Sequence, residues 1–154
     1  MKFTTHTTLP RITKALAATV DANAPKRIMA IMEGSIAEVF RSQGQALGHS
    51  WAPLAASTLK RRRAGPSTRR QRAQILVDTG TLRQSVTSGG GGGAYRSQSM
   101  REVVVGTKIP YAAAHQFGPK RNLPARPFMG LTQDARDRIR KMVRHEVIVA
   151  RMQP

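Results

Sequence analysis

Apolar positions along the chain recur first at helical spacing. In residues 11–20 Ile12, Leu16 and Val20 fall four apart, on one face of a helix. A second helix is predicted from about 25 to 43. Its stripe is Ile28, Met32, Ile36 and Val39, with Phe40 beside it. Pro25 suits its first turn, where a missing N–H costs nothing, and Gly44 and Gly48 mark its end and a loop. The N-terminal helices thus cover about 11–43. Trp51–Leu59 reads as an anchored turn and a short helix, with Pro53 at its start.

The period then changes. Ile75-Leu76-Val77 runs into Asp78-Thr79-Gly80, a strand-end or turn signal. Residues 82–88 and 101–108 read as two strands, the second rich in valine, giving a β-hairpin over about 82–108. Gly89 through Gly93 separate them. Such a tract has high chain entropy and nothing to pack, so it is expected to be a mobile hairpin tip. It lacks the glycine spacing, the lysine and the following helix of a phosphate-cradling loop.

From about 131 to 152 the helical period returns. Ala135, Ile139, Met142, Val143, Glu146 and Ala150 share one side. Thr132 is the expected N-cap, and Asp134 lies in the first turn, where the helix dipole favours it. No repeat of 20–50 residues is present. The predicted fold class is α+β: one domain over 1–154, with long N-terminal and C-terminal helices packed on a small antiparallel β-sheet.

Composition narrows the function. The 154 residues fit one domain. Aromatics are 5%, so the core must be built from Ile, Leu, Val, Met and Ala. The absence of cysteine excludes disulfides, thiolate metal sites and a cysteine nucleophile. No apolar run is long enough to cross a membrane. The first fourteen residues hold no continuous apolar stretch, which argues against a signal peptide. The protein is expected to be made and used inside a cell, without a membrane partner.

Charge changes the picture most. Lys and Arg number 26 against 8 Asp and Glu, a net +18. The excess runs along the whole chain and peaks at Lys60, Arg61, Arg62, Arg63, Arg69, Arg70 and Arg72, expected to form a basic loop over 60–73. Arg136, Arg140, Arg144 and Arg151 add a stripe on the last helix. Like charges four apart repel by roughly 0.2–0.5 kcal/mol per pair, so the stripe favours an external counter-charge. Both regions are candidate surfaces for DNA phosphates or acidic protein walls, or else solvated faces.

Candidate chemistry is sparse. The eight carboxylates show no paired arrangement, and His6, His49, His115 and His145 show no metal-ligand spacing. A nucleophile set of Ser85, His115 and Asp78 has nothing to select it. Asp78-Thr79-Gly80 resembles an aspartic-protease loop, but such enzymes need two catalytic aspartates. The expectation is a protein without catalytic residues, metal or cofactor. Alternatives are a basic host nucleic-acid-binding protein and a metal-dependent nuclease. The first lacks a reading motif and stacking aromatics.

Five short motifs follow one another in order: Trp51-Ala52-Pro53-Leu54 with Ser57-Thr58-Leu59-Lys60; Ile75 to Leu82 with Ser85; Val103-Val104-Val105-Gly106-Thr107; Tyr111-Ala112 with His115-Gln116-Phe117-Gly118; and Pro124 to Leu131. Together they resemble the phage virion morphogenesis, or tail completion, family. The five-glycine insert departs from the pattern. The resemblance implies a structural protein of the head–tail junction, located in the virion neck or tail and in the host cytoplasm during assembly. It implies a ring of copies, most often six, around the DNA path. Implied partners are the head connector or stopper, the tail terminator or tail tube, and double-stranded DNA bound without sequence preference in the lumen.

The signature residues have readings of their own. Trp51 is expected to anchor a turn through its N–H. Gly80, Gly106 and Gly118 sit where the chain turns or needs close approach. Tyr111, His115 and Phe117 belong to one dense motif, and His115 reads as a structural hydrogen-bonding residue. Pro124 and Pro127 stiffen a segment carrying Arg126 and Phe128. Those two residues either dock on a neighbouring subunit or pack within their own.

Overall fold

The computed structural model describes residues 21–64, 74–87, 91–99, 102–118 and 123–152. The predicted helix over 11–20 and Arg69, Arg70 and Arg72 lie outside them. Helix α1 spans Ala24–Arg41, and Pro25 occupies its first turn as the sequence suggests. Its stripe of Ile28, Met32, Ile36, Val39 and Phe40 is buried without exception. A 3₁₀ turn, Gln45–Leu47, follows. Helix α2 is Ala56–Ala64, so Lys60 to Ala64 are helical and the first part of the expected basic loop is not a loop.

The strand predicted over 82–88 is not found in its described part, 82–87. Thr81–Val86 is helix α3, with Gly80 as its N-cap at φ 85°. Leu82, Ser85 and Val86 face inward at helical spacing. The hairpin lies later: β1, Ala94–Gln98, pairs antiparallel with β2, Val103–Thr107, with Tyr95 opposite Gly106. The glycine tract is therefore not its tip. Gly91 donates to the Gln84 carbonyl and Gly93 accepts from Lys108, so Gly91–Gly93 form the described part of the link from α3 to β1. The tip closes by the Ser99 N–H on the Glu102 carbonyl, 2.7 Å.

Helix α4 is Ala112–Phe117 and helix α5 is Gln133–Met152. Thr132 caps α5: its Oγ1 accepts the Ala135 N–H at 3.3 Å. The fold is α+β, helices around a two-stranded antiparallel sheet. Core side chains from α1, α3, β2 and α5 meet Trp51 and Phe128. A polar tie links helix to sheet: Arg96 of β1 donates to the Glu33 carboxylate of α1 and to the Thr87 carbonyl after α3. Among the described residues no helix is long and apolar enough to cross a membrane.

Candidate assembly site

Three sequence motifs far apart in the chain close into one clamp. The Arg126 guanidinium donates to the carbonyls of Ala52 and Pro53, both at 3.0 Å. Its main-chain N–H donates to the His115 carbonyl at 2.7 Å. The Trp51 indole N–H donates to the Pro127 carbonyl at 2.9 Å. Gln116 Oε1 accepts the N–H groups of Phe128 and Met129, at 2.9 and 3.0 Å. The proline-stiffened segment makes no sheet, so side chains satisfy its main chain instead. Phe40 packs edge-on to Trp51, ring centroids 5.5 Å apart, and tilted against Phe128 at 5.6 Å.

This geometry decides between the two readings of Arg126 and Phe128. Phe128 is fully buried and Arg126 is 5% exposed. Both are spent inside the subunit, and neither projects as an interface anchor. Gly118, at φ 60°, makes the close approach possible: a Cβ there would lie 2.6 Å from the Ala125 nitrogen.

The second motif clamps α2. Arg62 is buried, and its Nη1 donates to the carbonyls of Gln74 and Val77 at 2.8 and 3.2 Å. Its Nε lies 3.6 Å from the Asp78 carboxylate. Arg62 therefore leaves the set of outward-facing cations. Burial first, and then the charge of Arg62, push Arg126 below the ordinary arginine pKa. Burial and then the Arg126 charge push His115 below the ordinary histidine value. His115 Nδ1 is buried with no hydrogen-bond partner among the described residues.

The other described cations of the two predicted basic regions face outward. Lys60, Arg61 and Arg63 on α2 are exposed, as are Arg136, Arg140 and Arg144 on α5. Arg140 is paired with Asp137 at 2.6 Å. Tyr111 and Phe117, at the two ends of α4, are 47% and 56% exposed.

Among the described residues, Ser85 and Asp78 of the weighed nucleophile set are engaged elsewhere. Ser85 is fully buried and its hydroxyl contacts the Leu82 carbonyl and Thr107 Oγ1, at 2.8 and 2.9 Å. Asp78 pairs with Arg62 in a turn that leads into α3. Among the described residues no group of three His, Asp or Glu could hold a metal.

Two residues escaped sequence reasoning. Gln116 carries no role in its motif by sequence alone, although a polar residue inside an apolar helix run is a signal for a main-chain clamp. Glu33 falls beside Met32 and Ile36 on the buried stripe, where an acid implies a buried partner; that partner is Arg96.

Comparison with known proteins gives concordant findings. The model of the phage virion morphogenesis family matches residues 5–148. The chain is similar to the Mu-like prophage FluMu G protein 2 of Haemophilus influenzae, 45% identical over 69 residues. That match covers 40% of this chain and 44% of the relative, less than half of the relative's length. No solved structure matches.

Proposed function

The chain belongs to the phage virion morphogenesis family, and on that premise we propose that it is a structural subunit of the head–tail junction. In this reading copies assemble as a ring that completes the neck or tail and joins head connector to tail. Its neighbours are the connector or stopper on one side and the terminator or tube protein on the other. The family match over residues 5–148 carries the proposal. The role requires binding and shape, and no catalytic step.

Charge supports the DNA path. A ring multiplies +18 by its copy number, and such a field favours phosphate or acidic walls nearby. The exposed rows on α2 and α5 suit phosphate contacts, which hold the duplex without reading its sequence. Light scattering and negative-stain imaging at two salt concentrations, alone and with isolated tails, test the assembly. A closed ring, free or on the tail end, is expected. A monomer under all these conditions would overturn the ring.

A further inference from the structure

Two copies of a chain carrying +18 repel each other, so their contact needs a place where carboxylates gather. Four of the eight acids lie elsewhere: Glu33 on Arg96, Asp78 on Arg62, Asp137 on Arg140, and Glu102 at the hairpin tip. The other four, Asp21, Glu38, Asp134 and Glu146, collect at one groove between α1 and α5. These helices run antiparallel, with the Thr132 N–H on Ser35 Oγ at one end, 2.8 Å, and the Asp21 N–H on Glu146 at the other, 3.1 Å. The groove is open, with a volume of about 1080 Å³. Arg27, Arg138 and Lys141 line it too, so it is close to neutral on a strongly basic molecule. Ile31 and Met142 give it apolar walls, and Ala30 and Gly34 leave room on the α1 side. A Cβ built on Gly34 meets nothing within 4 Å.

We propose that this groove receives helix α2 of a second copy. The contact presupposes the ring proposed above and is the joint that builds it. Ala56, Ser57, Lys60, Arg61 and Ala64 of α2 are exposed and recur at helical spacing, so they form one outward face, two cations between small residues. Lys60 and Arg61 make no ion pair among the described residues. The groove's carboxylates are held loosely, Glu38 by the exposed Arg41 and Asp134 by Arg138 at 3.7 Å. Exposed pairs of this kind contribute little, so both acids can turn to an incoming cation.

Length and topology agree. The nine residues of α2 span about 13 Å, and the groove follows α1 from Arg27 to Glu38, about 16 Å. Among the described residues α2 adds nothing to the lining of its own groove, so helix and groove are separate surfaces. Such a contact is head-to-tail, and it repeats from copy to copy until a ring closes. The α2 row then meets an acidic wall, and the α5 row is left to phosphate.

Charge reversal tests this on the full-length, nuclease-treated chain, with association read by sedimentation at low salt. Lys60→Glu with Arg61→Glu lowers the net positive charge, so general repulsion falls. Self-association should nonetheless weaken at least about ten-fold. Glu38→Lys with Asp134→Lys should weaken it similarly. An equal mixture of the two variants, with the wild type's average charge, should recover it, because each reversed surface then meets its complement. Thermal unfolding checks that both variants fold. Lys60 and Arg61 are exposed, so their variant decides alone if the groove variant does not fold. Wild-type association that either pair leaves unchanged, or no recovery on mixing, would overturn the groove contact and leave the ring standing. A wild-type chain that stays monomeric, alone and with isolated tails, would overturn the ring and the contact with it.

Discussion

Arg126 is a buried cation held by main-chain oxygens, at Ala52 and Pro53. Removing it strands two carbonyls in the clamp, whereas Lys retains charge without the fork that reaches both. Arg126→Ala should destabilise by about 1–3 kcal/mol in urea unfolding, and Arg126→Lys should recover only part of that. Phe128→Ala should cost about 3–5 kcal/mol, since the ring is fully buried between Phe40 and its neighbours. An unchanged midpoint for both would remove them from the core.

His115 gives a pH signature. Its folded pKa lies below 6.5, by burial and by the Arg126 charge. As pH falls, the unfolded chain takes its proton first, so stability is full above 6.5 and declines below it. The unfolding midpoint should fall as pH drops through that value, and His115→Gln should flatten the decline in this window. A steeper decline in the variant would contradict the assignment.

At the scale of elements, Gly118 links α4 to the Pro124–Leu131 segment. Its φ of 60° and the 2.6 Å approach to Ala125 leave no room for a side chain. Gly118→Ala should lower stability by at least about 1–2 kcal/mol, the cost of a left-handed conformation alone. Thermal unfolding reads it.

The same scale shows what the sequence made legible. The stripes of α1 and α5 stood out because long helices repeat their pattern over many turns. Caps at Thr132 and Pro25 fixed their starts to within two residues. β2 was legible from its three valines. Helix α3 was not: it is only six residues long, and Val86 with the following Thr87 favours a strand, while Gly80 capping a turn and the inward Leu82, Ser85 and Val86 fit a helix. β1 carries no apolar alternation, because its place is set by pairing with β2 and by Arg96 reaching Glu33. The clamp was half legible. Trp51 could be assigned an N–H partner, but burial of Arg62 and Arg126 depends on carbonyls brought in from distant segments, which no local pattern encodes.

For the whole molecule, charge and family are the guiding facts. Arg136, Arg140 and Arg144 are exposed, so changing all three to Gln should leave the unfolding midpoint within about 0.5 kcal/mol. In the proposed role their removal should weaken duplex DNA binding equally for all sequences. The slope of log affinity against log salt should shrink by up to about 3. An unchanged slope would assign the row to solvent or to a protein wall.

The most direct measurement is electron microscopy of lysates from cells producing the phage without this gene, with the gene restored in trans as control. The account predicts filled heads and separate, unjoined tails, with complete particles returning on complementation. Normal numbers of joined, infectious particles without the gene would contradict a role in completing the head–tail junction.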